Sequence, residues 1–586
     1  MELESLKSPD EGGTTASSSS SGREREKWGR KVEFLLSVSG YSVGPGNLWR
    51  FPYICMRNGG GAFLIPFIFL LFTLGLPLFF VEVSLGQFSG RGIYGVWNIC
   101  PIFKGMGIGM GIAAAILSAY FAIILSWSLY YIGNSFLNPL PWSLCGQEWN
   151  TPECQTDRNS MKRLLPKNRT ANSTYLDIDG FTYNTTFLGR SSYNSTNITS
   201  QIITSEEEFW QYNVLKISSG IHDFGRVQWH LALCFVISWI IVYFCLARGV
   251  KSLGKVVYVT ATLPYILLVT LLIRGITLPG AIDGILFYIT PDFERILSAQ
   301  VWMEAAIQIF YSSGIIWGAL ITFSSFNKFH NNCLRDSILL ICLGEGTSIF
   351  GGFVVFSILG YMAHKVNVPV EDVVKSGPGL GYIAYPEALM ELPLPNLWGV
   401  LFFLMLYTLA LDAVFACMEP MCTAFVDQFP LLKRRRALFI GVVVALMLLS
   451  GLPLCTQSGM YIYQLVDWYT ASFAVPLFGV FECVIIGWIY GADRFSKDVE
   501  MMLGRGLPLV IRISLCFISP VILMILLVFI VAKYSLPTYG TYEYPTLAVV
   551  FGWFIALVPL VPLPIVAVRE VKKAPGNTTF QVKFIR

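Results

Sequence analysis

The stretch Gly40-Tyr41-Ser42-Val43-Gly44-Pro45-Gly46-Asn47-Leu48-Trp49-Arg50-Phe51-Pro52 decides how the chain is read. It lies inside an apolar run long enough to cross a bilayer, yet Gly44, Pro45 and Gly46 follow one another within it. Glycine and proline cost a helix about 1 and 3 kcal/mol relative to alanine. In hydrocarbon, a backbone group freed from its partner costs several kcal/mol more. Such a break persists only around something polar. A second one, Ser312-Ser313-Gly314, interrupts the sixth apolar run. One break alone reads equally well as a tolerated glycine kink. Interruptions at corresponding positions of two halves instead mark a membrane transporter with its site at the bilayer midplane, between inverted repeats. Freed carbonyls suit sodium, and half-helix N-termini suit an anion.

The rest of the chain agrees on the bilayer. Of 586 residues 54% are hydrophobic and 13% charged, with a mean hydropathy of +0.60, too few charges to cover a soluble body of this size. Twelve apolar runs read as spanning helices: Val32–Ile54, Phe63–Leu85, Gly107–Ile132, Trp229–Ala247, Val256–Ile273, Val301–Phe323, Ser337–Met362, Leu397–Phe425, Leu438–Leu454, Ile462–Tyr490, Ile511–Ala532 and Leu547–Val568. The organisation expected is a tail over residues 1–31, a transporter domain over 32–568 and a second tail over 569–586. The first tail has no apolar segment of a cleaved signal, so the first helix does the targeting. Lys251, Lys255, Lys328, Arg335 and the run Lys433-Arg434-Arg435-Arg436 all fall on one side under a twelve-helix count. That side is then the cytoplasm, with both termini on it. The hydrophilic loop over 134–226 falls outside and carries five acceptor sequons, at Asn168, Asn172, Asn184, Asn194 and Asn197. A sixth, Asn577, falls in the cytoplasmic tail. Cys145 and Cys154 are the only two of thirteen cysteines in the loop, which makes them the natural disulfide there.

Enzyme chemistry finds no foothold. The segment Gly249 to Val256 nearly matches a phosphate-binding loop, but Val256 stands where a Ser or Thr must meet magnesium, so it reads as a cytoplasmic loop. His222, His230, His330 and His364 lack metal-ligand spacing. Gly105, Gly107, Gly109 and Gly111 form a small-residue stripe suited to close helix packing. The partners expected are the lipid bilayer and a small molecule, not nucleic acid. Four carboxylates inside apolar runs, Glu82, Asp412, Glu419 and Asp467, are expensive in a bilayer and are functional candidates by default. For Glu82 and Glu419 the simpler expectation is hydrogen bonding to broken backbone, whereas Asp412 is placed to neutralise a cation.

Five motifs then carry a resemblance: Gly46-Asn-Leu-Trp-Arg-Phe-Pro-Tyr53, Asn58-Gly-Gly-Gly-Ala-Phe63, Asn327-Lys-Phe-His-Asn-Asn-Cys333, Ala384-Tyr-Pro-Glu-Ala-Leu389 and Trp488-Ile-Tyr-Gly491. Together they resemble the neurotransmitter:sodium symporter family over Trp28 to about Val568. The flavour is that of the glycine and broad-specificity amino-acid branch, judged from Gly44, where monoamine transporters have an aspartate, and from Gly377 to Leu389. The resemblance implies an all-α, twelve-helix LeuT-type fold with two inverted five-helix repeats and discontinuous helices 1 and 6. It implies one sodium site at Gly40, Val43, Leu409 and Asp412, and another at Ser42, Asn47 and Ser312. A chloride site would draw on Gln308, Ser312 and Ser348. The outer gate would be Arg50 with Asp467, and the inner gate Arg25, capped by Trp28, with Asp427. The substrate pocket would be lined by Tyr41, Ser42, Pro45, Gly46, Leu117, Phe121, Tyr311, Ser312, Gly314 and Trp317.

The chain departs from the family pattern where ligands sit. Phe121 replaces a tyrosine hydroxyl and Pro45 removes an N–H, both of which meet the substrate carboxylate in the family. Phe67, Gly344 and Ala413 replace three ion-site side chains. Glu345 would offer fixed negative charge in place of chloride, but on an ideal helix it faces about 100° away from position 344. A packing or solvated role is thus at least as fair a reading. The expectation is a plasma-membrane, sodium-coupled symporter for glycine or a similar small zwitterion, less dependent on chloride than its relatives. The competing expectation is a divergent, non-transporting solute sensor or membrane partner protein.

Overall fold

Backbone groups in hydrocarbon have no water to bond, so a spanning chain is helical by default. The computed structural model describes residues 27–152, 154–155, 175–178, 181–184, 203–247, 249–366, 369–370, 380–390, 392–470, 473–539 and 542–573. Among these, ten helices are long and apolar enough to cross a membrane: Gly61–Ser89, Pro101–Ser135, Trp229–Leu246, Ser252–Ile276, Cys333–Lys365, Pro395–Gln428, Arg436–Cys455, Gly459–Ile489, Leu509–Ala532 and Thr546–Lys573. The two remaining runs are those with the expected breaks. The first divides into Lys31–Ser42 and Gly46–Arg57, and the sixth into Ala299–Ser313 and Ala319–Ser324. Twelve spans with discontinuous first and sixth members are therefore present. Strands among the described residues are confined to short pairs outside the spans.

The segment expected to be a loop at Gly249 is instead the start of a helix. Gly249 adopts a left-handed φ of 76°, and helix Val250–Thr260 follows it. Lys251 and Lys255 lie between two apolar runs in the sequence, but a helix need not stop where hydrocarbon does. The glycine stripe of the third span packs as expected. A Cβ on Gly105 would lie 2.4 Å from the Pro562 carbonyl oxygen, and one on Gly109 would lie 2.3 Å from that of Pro559. Only glycine lets the third and twelfth spans touch backbone to backbone there.

The described parts of the long loop are folded onto the helices. Cys145 and Cys154 are disulfide-bonded. Trp210, 2% exposed, stacks on Tyr382 with ring centroids 4.8 Å apart. Of the sequon asparagines, Asn184 ends the short strand Phe181–Asn184. Asn168, Asn172, Asn194, Asn197 and Asn577 lie outside the described residues, as does Arg25.

The second break is the more strained of the two. Gly314 and Gly318 have φ of 67° and 82°, and between them Ile316 has φ of 75°, a conformation that a β-branched residue adopts only when its surroundings enforce it. The enforcing contact comes from the second span. Fully buried Glu82 accepts the Ile316 N–H at 2.6 Å. This is the backbone-bonding role expected of that glutamate. Replacing the acceptor orphans a buried N–H, so Glu82→Leu is expected to lower stability by about 1–3 kcal/mol. Glu82→Gln keeps a carbonyl acceptor and should recover most of that loss. Thermal unfolding of the detergent-solubilised protein checks both; equal losses for the two variants would assign the effect to charge rather than to the hydrogen bond.

Candidate ion and substrate site between the broken helices

The first break frees the carbonyls of the helix end at Ser42, because the last turn of any helix lacks intrahelical donors. Pro45 has no N–H to return. Asn47 repairs the gap from the other side. Its Oδ1 accepts the Gly44 N–H at 3.3 Å, while its Nδ2 donates to the Ser42 carbonyl at 3.3 Å and to Ser348 Oγ at 2.9 Å. Tyr41 joins the two breaks by donating to the Gly314 carbonyl at 2.8 Å. A Cβ on Gly314 would strike that tyrosine ring at 2.2 Å, whereas Cβ atoms on Gly44 and Gly46 would meet open space.

Asp412 lies in the middle of the eighth span, Pro395–Gln428, and is 3% exposed. Neither of its carboxylate oxygens has a hydrogen-bond partner. A Cβ on Gly40 would come within 2.6 Å of Asp412 Oδ2, so the glycine is what allows this approach to the first span. A buried carboxylate without partners is costly as an anion, so it holds a proton or takes a cation as its partner. Gly40 and Val43 belong to the first span and Leu409 and Asp412 to the eighth, and these two spans pack on one another.

The second expected cluster is also assembled, with one correction. Glu345 is neither solvated nor turned away. It is fully buried, with Ser312 Oγ 2.8 Å from each of its oxygens and Ser348 Oγ donating at 3.4 Å. Residues 345 and 348 are one helical turn apart and share a face, which outweighs the 100° step from position 344. Asn47, Ser348, Glu345 and Ser312 thus form one chain of contacts linking the first, seventh and sixth spans. Gln308, 1% exposed, lies a turn before Ser312, whose hydroxyl is 2.8 Å from its carbonyl oxygen.

The gates differ in state. Arg50 does not close onto Asp467: its guanidinium carbon lies 3.5 Å from the Tyr311 ring centroid, and Asp467 accepts from the Tyr120 hydroxyl at 2.9 Å. A cavity of about 1390 Å³ passes between them, from the loop residues Gln211 and Lys533 to Tyr311 and Trp317. Of the expected pocket residues, Tyr311 and Trp317 line it. Tyr41, Ser42, Pro45, Gly46, Leu117, Phe121, Ser312 and Gly314 do not. At the opposite end Trp28 is buried, donating from its indole to the Phe323 carbonyl at 2.9 Å, and Lys31 pairs with Asp336 at 2.6 Å. Asp427 accepts the Gly92 N–H at 3.4 Å. The protein is open on the side of the disulfide loop and shut on the side of Trp28.

Two further carboxylates complete the picture. Glu419 does not bond broken backbone as expected; it takes a two-pronged contact from Arg436 at 2.8 and 2.9 Å and a hydrogen bond from Thr423 at 2.9 Å. A guanidinium within reach outcompetes a neutral donor for a buried carboxylate. Glu482, in the tenth span, is a further acid within an apolar run. It is fully buried and both its oxygens lack partners, and its signal in the sequence is the same as that of the other four, a lone acid in an apolar run.

Comparison with known proteins agrees with this architecture. A family profile described as the sodium:neurotransmitter symporter family matches residues 25–574. The chain is 43% identical over 570 residues to the sodium- and chloride-dependent glycine transporter 2 of Xenopus laevis, covering 96% of this chain and 71% of that protein. It is 44% identical over 561 residues to the sodium- and chloride-dependent glycine transporter 1 of the same species, covering 95% of this chain and 86% of the relative. Neither match favours the non-transporting alternative. With its first and sixth spans broken around buried, unpartnered carboxylate, the chain belongs to the sodium:neurotransmitter symporter family.

Proposed function

We propose that the protein imports glycine, or a zwitterion of similar size, across the plasma membrane together with sodium, with both termini in the cytoplasm. The observation that carries the reading is Asp412, a buried carboxylate with two orphan oxygens pressed against Gly40 at the end of a broken helix. Sodium entering there meets full negative charge and freed backbone oxygens. The names of the two relatives supply glycine as the substrate. The Tyr41 ring lying on Gly314 supports a small one, since it fills the space where a longer side chain would extend.

Each sodium ion moving into an inside-negative cell gains about 2.3 kcal/mol per 100 mV, and about 1.4 kcal/mol is a tenfold concentration ratio. One net charge thus drives more than tenfold accumulation. Coupling requires sodium and substrate to prefer the same conformation, so that the Arg50–Asp467 side closes only over a filled site. Gly46 retains an N–H for the substrate carboxylate, while Pro45 and Phe121 contribute none. Two missing hydrogen bonds of about 1.5–3 kcal/mol each point to an affinity lowered by about a hundredfold or more, unless other donors move in.

The relatives' names also bring chloride to this chain. Its expected residues Ser312 and Ser348 already face Glu345. Ser312 has a single hydroxyl proton, and an ionised Glu345 repels a second anion at close range. We therefore infer that Glu345 supplies much of the negative charge that chloride supplies elsewhere.

Two measurements check these readings. Labelled glycine uptake by cells expressing the chain should rise severalfold when sodium replaces choline; no sodium-dependent flux for glycine, betaine or small amino acids, despite surface expression, would defeat symport. Replacing chloride by gluconate should lower that uptake by less than about threefold, and Glu345→Gln should deepen the chloride requirement. A steep requirement in the unmodified chain, unaltered by Glu345→Gln, would remove the carboxylate from the anion's role.

A further inference from the structure

The eighth span, Pro395–Gln428, has 34 residues with Asp412 near its middle, which makes it about 51 Å long. A bilayer offers about 30 Å of hydrocarbon, and about 40–45 Å with its headgroup layers. The end of the span that carries Asp427 therefore emerges from the hydrocarbon. The turn that leads on to the ninth span, Arg436–Cys455, lies at headgroup depth.

That turn comprises Phe429, the short helix Pro430–Arg434 and Arg435. Phe429 and Leu431 are 55% and 70% exposed, and Lys433, Arg434 and Arg435 are exposed beside them. Bare apolar side chains suit the acyl boundary, and adjacent bases suit the phosphates just outside it. The next base is used differently. One guanidinium nitrogen of Arg436 donates to both oxygens of buried Glu419, at 2.8 and 2.9 Å, which braces the turn against the eighth span. The rings of Phe425 and Phe439, with centroids 5.9 Å apart, close the same turn. Glu419 is thereby neutralised, and Asp427 accepts the Gly92 N–H at 3.4 Å. What the turn presents outward is three adjacent positive charges on a braced backbone. A basic run alone marks only a cytoplasmic loop; its depth and its apolar flank add a preference for lipid.

We propose that the turn joining the eighth and ninth spans is a binding site for anionic phospholipid, with the headgroup phosphates on Lys433, Arg434 and Arg435 and the start of the acyl chains on Phe429 and Leu431. With both termini in the cytoplasm, the orientation on which this inference rests, the lipid is that of the cytoplasmic leaflet, where anionic headgroups concentrate.

Thermal unfolding of the purified full chain in detergent is followed as dioctanoyl phosphatidylinositol bisphosphate is titrated in. Lys433→Gln, Arg434→Gln and Arg435→Gln together should raise the half-saturating lipid concentration about tenfold or more, because each base at an anionic surface contributes about fivefold to binding. Phe429→Ser with Leu431→Ser should raise it about threefold or more with every charge in place. Lys572→Gln with Lys573→Gln removes bases at the end of the twelfth span, where Glu570 lies 3.8 Å from Lys573, and should leave it within twofold. All of these side chains are exposed, so unfolding without lipid should match the parent and reports that each variant is folded. The proposal is overturned if the triple variant binds the lipid within twofold of the parent, if the lysine pair of the twelfth span weakens binding as much, or if soluble inositol hexakisphosphate stabilises the chain at the same concentration as the lipid, which would make the occupant a free phosphate compound. The titration in detergent does not depend on orientation, which antibody access to an N-terminal epitope on intact cells tests separately.

Discussion

A backbone in hydrocarbon must keep its polar groups satisfied, and everything distinctive here follows from two places where it does not do so by itself. The first and sixth spans give up helical hydrogen bonds at Val43–Pro45 and at Gly314–Gly318, and side chains from other spans take up the difference. Asn47 bridges the first gap, Glu82 holds Ile316 in the second, and Tyr41 ties one gap to the other. The repairs are partial. What remains unsatisfied includes the two oxygens of Asp412.

Charge placement then separates the buried acids by task. Glu82 spends one oxygen on backbone, and Glu419 is neutralised by Arg436, so both are structural. Asp412 is pressed against Gly40 and lacks hydrogen-bond partners, whereas Glu345 is held by the hydroxyls of Ser312 and Ser348. Access is open on the Arg50 side and closed on the Trp28 side.

Much of this was legible in the sequence because the bilayer makes rules strict. Two glycine-bearing interruptions five spans apart located both breaks, and lone acids in apolar runs located Glu82 and Asp412. The stretch at Gly249 reads as a loop from its failed match to a phosphate-binding loop, yet a failed motif says nothing against the helix Val250–Thr260 that starts there. The direction of Glu345 follows from Ser348, one turn on, and not from its neighbour Gly344. The pairing of Glu419 with Arg436 and of Asp467 with Tyr120 joins residues 17 and 347 positions apart in the chain, and no local pattern encodes such partners.

The most direct measurement is sodium activation of uptake in Asp412→Asn, an isosteric change that removes the charge and leaves the packing against Gly40 intact. With protein present at the surface in normal amount, half-saturating sodium should rise by tenfold or more, or sodium-driven uptake should vanish. Unchanged sodium activation in that variant would contradict the central claim that the orphan carboxylate beside the first break holds the driving ion.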